Sequence, residues 1–240
     1  QGDCPRQYAV IRLVPRSSDA PEVVMAYGME KVAEDLGIPR LSDTAFEGLR
    51  LDLPRLCRLL EQAVAEQVPV LLTAGTFTMV NVCDALAAAG RLFELPAGST
   101  VLDAGGFKNR SRWVTVPEYE RLVRERFGPV RCVNLFGMTE LASQLYDAGP
   151  EPVGPSGQRV KAGNAWTWPT VRDSRTLEVS EGGFGLLEVT DLAIIDRPCV
   201  VLADDVALGT PGGAVVLGRA KGAPTRGCTL HLEEMVGGTT

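Results

Sequence analysis

Short apolar runs alternate with amphipathic stretches from residue 8 to about residue 145, and nothing else in the chain constrains its fold as strongly. Tyr8-Ala9-Val10-Ile11-Arg12-Leu13-Val14-Pro15 reads as a strand. Residues 22–36 read as an amphipathic helix stopped at Gly37. Residues 54–67 read as a second helix, with Leu56, Leu59, Leu60 and Val64 on one face. Val68-Pro69-Val70-Leu71-Leu72-Thr73 is a short apolar run of the kind found in buried parallel strands. A helix over 77–91, a strand over 99–103, a charged helix opened by Pro117, a strand over 130–136 and a helix beginning at Met138 continue the pattern. This alternation predicts an α/β fold, a mainly parallel sheet flanked by helices. After residue 150 the character changes. Gly and Pro are frequent through 149–168, and short β runs follow at 185–189, 199–202 and 214–217. They predict a smaller β-rich subdomain built from hairpins. The expected division is 1–150 as the α/β core, 151–217 as the β-rich subdomain and 218–240 as a short C-terminal segment.

Composition narrows the function. The net charge of the 240 residues is −6 and the basic residues are dispersed, which argues against a nucleic-acid partner. No apolar run is long enough to span a bilayer. The N-terminal Gln1-Gly2-Asp3-Cys4 does not read as a signal peptide and has no initiator Met, so the chain is expected to start partway into a longer protein. The six cysteines form no C-x-x-C pair, which disfavours a zinc site. Most lie in apolar runs, as buried thiols of a cytoplasmic protein do.

Three segments carry residues suited to chemistry. In Val101-Leu102-Asp103-Ala104-Gly105-Gly106-Phe107-Lys108 a strand ends in glycines, which lets a ligand approach the backbone at the edge where open α/β sheets bind ligands. The run also resembles the first motif of methyltransferases, with Phe107 in place of the final Gly, and a tight turn would use two glycines equally well. In Asn134-Leu135-Phe136-Gly137-Met138-Thr139-Glu140 the aromatic ring can stack on a base and a helix start would offer N–H groups to an anion. Thr139 adds a hydroxyl and Glu140 a carboxylate suited to Mg²⁺. An ordinary helix cap fits the same spacing. Near the C-terminus, Cys228 lies beside Arg226, and His231, the single histidine, follows three residues later. On a helix the two would share a face, and a nearby cation would raise the thiolate fraction of Cys228. An exposed Cys with an unrelated His fits the same residues.

The order of several segments resembles the acyl-protein synthetase family, within the adenylate-forming enzymes. Phe136-Gly137-Met138-Thr139-Glu140 is similar to that superfamily's Tyr-Gly-Met-Thr-Glu. Thr73-Ala74-Gly75-Thr76-Phe77, Ala104-Gly105-Gly106-Phe107-Lys108, Gly137 to Asp147 and Gly218-Arg219 through Cys228 follow the family in sequence. The resemblance implies the fold of the superfamily's large domain, with 1–150 binding adenine and acyl group and 218–240 opening on a hinge. It implies that ATP and a carboxylic acid, a fatty acid in this family, give an acyl-adenylate, with Mg²⁺ as cofactor and AMP carried in the intermediate. The acyl group then passes to a thiol. Position by position, Gly105, Gly106 and Phe107 are expected beside adenine, with Phe136, Gly137 and Met138 completing the nucleotide site. Phe136 lacks the family's hydroxyl but keeps a ring whose stacking is worth about 1 kcal/mol. Thr139 is expected on phosphate, Glu140 on Mg²⁺, Asp205 on the ribose hydroxyls, and Arg219 on ribose or phosphate. Cys228 would take the acyl group, with His231 beside it, or coenzyme A or a partner's thiol would; a reductase partner is a family expectation.

The same resemblance implies a Ser/Thr/Gly-rich phosphate loop, expected upstream of residue 1, because Thr73-Ala74-Gly75-Thr76 is too short and carries no Lys. Two other readings stay open: a split or non-catalytic nucleotide-binding module that needs another segment for the phosphates, and a methyltransferase using S-adenosylmethionine around Asp103.

Overall fold

The computed structural model describes residues 7–105 and 114–223. In chain order the elements are β1 (Ala9–Leu13), α1 (Val24–Leu36), β2 (Asp43–Thr44), β3 (Phe46–Glu47), β4 (Arg50–Leu51), α2 (Leu53–Ala65), β5 (Val70–Gly75) and α3 (Thr76–Ala88). Then follow β6 (Thr100–Ala104), α4 (Val116–Phe127), β7 (Arg131–Phe136), β8 (Leu145–Pro152), β9 (Arg159–Ala162), β10 (Thr167–Arg172), β11 (Phe184–Asp191), β12 (Val200–Thr210) and β13 (Gly213–Arg219). They gather into two compact units. Residues 7–105, 114 and 118–133 form the first, and residues 115–117 and 134–223 the second.

The first unit is the predicted parallel sheet. Its strands run β2–β1–β5–β6, all parallel, with Ile11 opposite Leu72 and Leu72 opposite Val101. Strand side chains alternate between faces. On one face Ile11, Leu13, Leu72 and Val101 pack with Leu56 and Leu60 of α2, Met79 and Leu86 of α3, and Val123 and Phe127 of α4. On the other, Val10 and Leu71 meet Val32 and Ala33 of α1. Arg12 shares that second face and is buried, with Nη1 3.2 Å from a Glu30 carboxylate oxygen. Burial on both faces is why β1 and β5 have no polar alternation.

Helix α2 shows how local sequence sets an element. The Asp52 carboxylate accepts the Arg55 N–H at 2.9 Å, satisfying one of the first-turn donors, and Pro54 sits in the first turn. Leu56 and Leu60 are fully buried, with Leu59 and Val64 partly buried beside them, so the predicted apolar face is the packed one.

The second unit is antiparallel. Its strands run β10–β11–β12–β13–β9–β8, with the end of β7 pairing to β8. Leu141, Leu145, Val171, Leu187, Val189, Ala207 and Ala214 form its core. The three predicted β runs lie in β11, β12 and β13. The Gly/Pro-rich stretch contributes the end of β8, β9 and the start of β10, which sequence reading left unassigned.

One expectation is corrected. No helix begins at Met138. The chain instead turns, with the Leu141 N–H donating to the Met138 carbonyl at 3.1 Å, and enters β8 at Leu145. Leu135 and Phe136 pair antiparallel with Tyr146 and Leu145, and pairing on that scale overrides the helical propensity of Leu141, Ala142 and Leu145. Three of the cysteines, Cys57, Cys83 and Cys132, are buried free thiols, while Cys199 is half-buried. Cys4 and Cys228 lie outside the described residues.

Leu60→Ala is expected to lower the unfolding free energy by about 2–5 kcal/mol, and Leu59→Ala by less than half as much, in urea denaturation followed by circular dichroism. Equal losses would contradict the assignment of the packed face.

Candidate functional site

In the first unit the candidate residues cluster where β6 ends. Gly105 closes the strand with φ +83°, a left-handed conformation that side chains resist. Asp103 is buried, and the Thr76 hydroxyl donates to its carboxylate at 2.5 Å. Thr76 is the first residue of α3, and its hydroxyl oxygen also lies 3.2 Å from the Ala104 carbonyl and 3.2 Å from the Gly105 carbonyl. The start of α3 and the end of β6 are thereby stapled together. Burial, with the nearby Asp103 carboxylate adding to it, drives the Tyr119 phenol of α4 well above its ordinary range. Asp103 is thus part of a buried polar cluster with Thr76 and Tyr119. Nearby, Met79 is core and Gly75 is buried, while Phe77 is partly exposed. Gly106 and Phe107 lie outside the described residues.

The second unit holds most of the other candidates. Phe136 ends β7 and leans, with Met138, on the core of that unit. Gly137, Thr139 and Glu140 are exposed in the turn that follows. With no helix here, the expected helix-start anion site is replaced by a turn whose apex carries one hydroxyl and one carboxylate. The Glu140 carbonyl accepts a long contact, 3.4 Å, from Nε of Arg197.

Asp205 and Arg219, separated by 14 positions, are cross-strand partners on β12 and β13. Arg219 Nη1 donates to the Asp205 carboxylate at 3.1 Å, and Asp205 is only 9% exposed. The register shifts between Val206 and Ala207, and Gly218 takes φ +128° there. That bulge is what the glycine of the Gly-Arg pair supplies. Cys228 and His231 lie outside the described residues.

Sequence reading missed two buried groups. Lys161 of β9 is 6% exposed and reaches Asp147 at 2.5 Å, the Asn134 carbonyl at 2.8 Å and the Asn134 side-chain oxygen at 2.8 Å. Asp147 also accepts the Asn134 N–H at 2.8 Å and Arg159 at 3.2 Å, so the strand that carries Phe136 is held by a paired charge cluster. Asp191, at the end of β11, is fully buried. One oxygen accepts the N–H groups of Ala142 and Ser143 at 2.9 and 2.7 Å. The other accepts the Ser143 hydroxyl at 3.0 Å, the Thr167 hydroxyl at 3.1 Å and the Ala193 N–H at 3.1 Å. Burial pushes the Asp191 carboxyl up, but these donors outweigh it and hold it below the ordinary carboxylate range. No local spacing announces either group, because most of their partners lie far away in sequence, on other strands or in the turn at 142–143.

Among the described residues no group of three or more His, Cys, Asp or Glu could hold a metal ion by itself. Mg²⁺ in nucleotide sites is commonly held by one or two carboxylates together with phosphate oxygens. The single exposed carboxylate of Glu140 suits that arrangement. An open groove of about 300 Å³ in the second unit, lined by Glu151, Val153, Val160 and Pro211 among others, includes none of the candidate residues. Among the described residues no helix is long and apolar enough to cross a membrane.

The fold is similar to that of solved structures of adenylate-forming enzymes. The chain is similar to a long-chain-fatty-acid-CoA ligase (FadD1) from Archaeoglobus fulgidus, with a TM-score of 0.61 and 10% identity over 90% of this chain and 44% of that one. It is similar to ATP-bound MatB from Rhodopseudomonas palustris, with a TM-score of 0.59 and 13% identity over 90% of this chain and 42% of that one. A third solved structure, McyG A-PCP complexed with phenylalanyl-adenylate, gives a TM-score of 0.56 and 15% identity over 90% of this chain and 40% of that one. The chain therefore spans less than half the length of the solved structures it matches. No protein-family model matches the sequence, and no curated protein matches it significantly.

Asp191 has a pH signature. A carboxyl whose folded pKa is depressed contributes stability that is present above its unfolded pKa of about 3.9 and lost as pH falls through the lower folded value. Urea midpoints measured from pH 6 down to pH 2 are expected to fall less steeply on the acid side in Asp191→Asn than in the unaltered chain. Parallel curves would contradict the hydrogen-bonded carboxylate.

Proposed function

We propose that this chain is the nucleotide-handling part of an enzyme that activates a carboxylic acid with ATP. The observation that carries the reading is the pairing of buried Asp205 with Arg219, in the same unit as the exposed Thr139–Glu140 turn and on a fold shared with adenylate-forming enzymes. An acidic side chain held on a strand suits the two hydroxyls of a ribose, and its arginine partner suits phosphate. In this reading Phe136 stacks on adenine with Gly137 and Met138 beside it, Gly105, Gly106 and Phe107 complete the adenine wall, and Thr139 donates to phosphate.

The carboxylate oxygen of the acid forms a bond to the α-phosphorus of ATP as the bond to the β-phosphate bridge breaks. Pyrophosphate leaves with the electron pair. A thiolate then attacks the acyl carbon and AMP leaves. Glu140 would hold Mg²⁺, which when bound offsets charge on the phosphates. The acid is inferred to be a fatty acid and the acceptor the Cys228 thiol with His231 near it, as in acyl-protein synthetases. Coenzyme A and a partner's thiol are the other acceptors.

Pyrophosphate release from Mg-ATP across a panel of fatty and aromatic acids tests the reading. Release is expected with one acid class, and Glu140→Gln is expected to slow it by about 10²-fold or more. Unchanged release in that variant would remove Glu140 from the site. Asp205→Asn is expected to weaken AMP binding roughly 10–100-fold by calorimetry, the effect of losing a charge-assisted hydrogen bond. AMP binding without pyrophosphate release would point to a further segment for the ATP phosphates. S-adenosylmethionine binding with no affinity for AMP would favour the methyltransferase reading.

A further inference from the structure

We propose that Asp191 and the loop after it, residues 192–197, form a clamp that sets the position of the Thr139–Glu140 turn. The clamp grips the turn at two points. On the β8 side the Asp191 carboxylate takes the backbone N–H groups of Ala142 and Ser143 and the Ser143 hydroxyl. Nearer the apex Arg197 Nε points at the Glu140 carbonyl.

The clamp is anchored behind. Asp191 is paired with Thr167 in the β10–β11 register and also accepts its hydroxyl. Its own N–H donates to the Cys199 carbonyl at 2.7 Å, which closes the base of the loop. The Trp166 indole N–H reaches the Ser143 hydroxyl at 3.3 Å, and the Trp166 carbonyl takes the Leu192 N–H at 2.9 Å, so the β10 end braces both sides. A buried anion with five donors is stiff, because any motion of one donor leaves charge unpaired. The turn it holds is anchored by Leu141 and Met138 on the core, but its apex is exposed, and among the described residues its own backbone closes it with one hydrogen bond, Leu141 N–H to the Met138 carbonyl.

Asp191 is therefore a positioning residue. Fully buried, it acts through the backbone of Ala142 and Ser143, which continues the turn that carries Thr139 and Glu140. The consequence for catalysis rests on the function proposed above, whereas the clamp itself stands on the geometry.

Two measurements on the 240-residue chain separate these. Amide hydrogen exchange needs no nucleotide. Asn at 191 offers an NH₂ where at least two donors now point, so Asp191→Asn is expected to speed exchange over 138–146 about tenfold. Exchange over 207–216 in the β12–β13 hairpin is expected to change little. Arg197→Ala, a surface change that leaves the core intact, is expected to speed exchange at residues 140–141 by a smaller factor, since its contact is long. Unchanged exchange in both variants, or acceleration spread evenly through the second unit, overturns the clamp. In pyrophosphate release, Asp191→Asn is expected to raise the KM for Mg-ATP about tenfold while the KM for the acid stays within about twofold. Local loosening with an unaltered KM for Mg-ATP overturns the link to the turn. If the variants show this exchange pattern while the wild-type chain binds no adenine nucleotide, the clamp stands and the proposed function falls.

Discussion

A carboxylate can be taken out of water only if donors surround it, because the desolvation cost of the bare charge is several kcal/mol. That constraint organises the protein around three acids. Asp103 is buried at the end of β6 and takes the hydroxyl of Thr76 from the first turn of α3. Asp147 is enclosed by Lys161, Arg159 and the Asn134 N–H. Asp191 is enclosed by five donors from three segments. Each acid sits next to a strand end or turn that carries a candidate residue. The apolar packing builds the sheets, and these acids fix where their ends point.

The two units use different means toward that end. In the first, a parallel sheet buried on both faces leaves its loops at the strand ends as the places where ligands can enter. The staple at Thr76 fixes one such end. In the second, antiparallel pairing lets residues far apart in sequence face each other directly. Asp205 meets Arg219 through one hairpin, and a Gly218 bulge adjusts the register beside them. In that pair the Arg219 side chain is the more exposed partner and Asp205 the more buried one.

Fold class was legible because it depends on periodicity. The apolar runs at 9–13 and 70–75 and the helical face of Leu56 and Leu60 each report burial through composition alone. The helix expected from Met138 failed for a physical reason. Leu141, Ala142 and Leu145 have helical propensities worth a few tenths of a kcal/mol each, and β7–β8 pairing with the Asp191 hydrogen bonds outweighs their sum.

The sequence by itself determined the alternating α/β layout, the hairpin-rich C-terminal part and the residue types available at the candidate positions, because these follow from local pattern and residue identity. Only the tertiary structure decided that Asp205 is paired with Arg219, that Lys161 neutralises Asp147 beneath Asn134, and that Asp191 holds the turn behind Glu140. Those contacts join residues 14, 14 and 48–49 positions apart across strand registers. Register is set by packing of whole sheet faces, and no short stretch of sequence contains it.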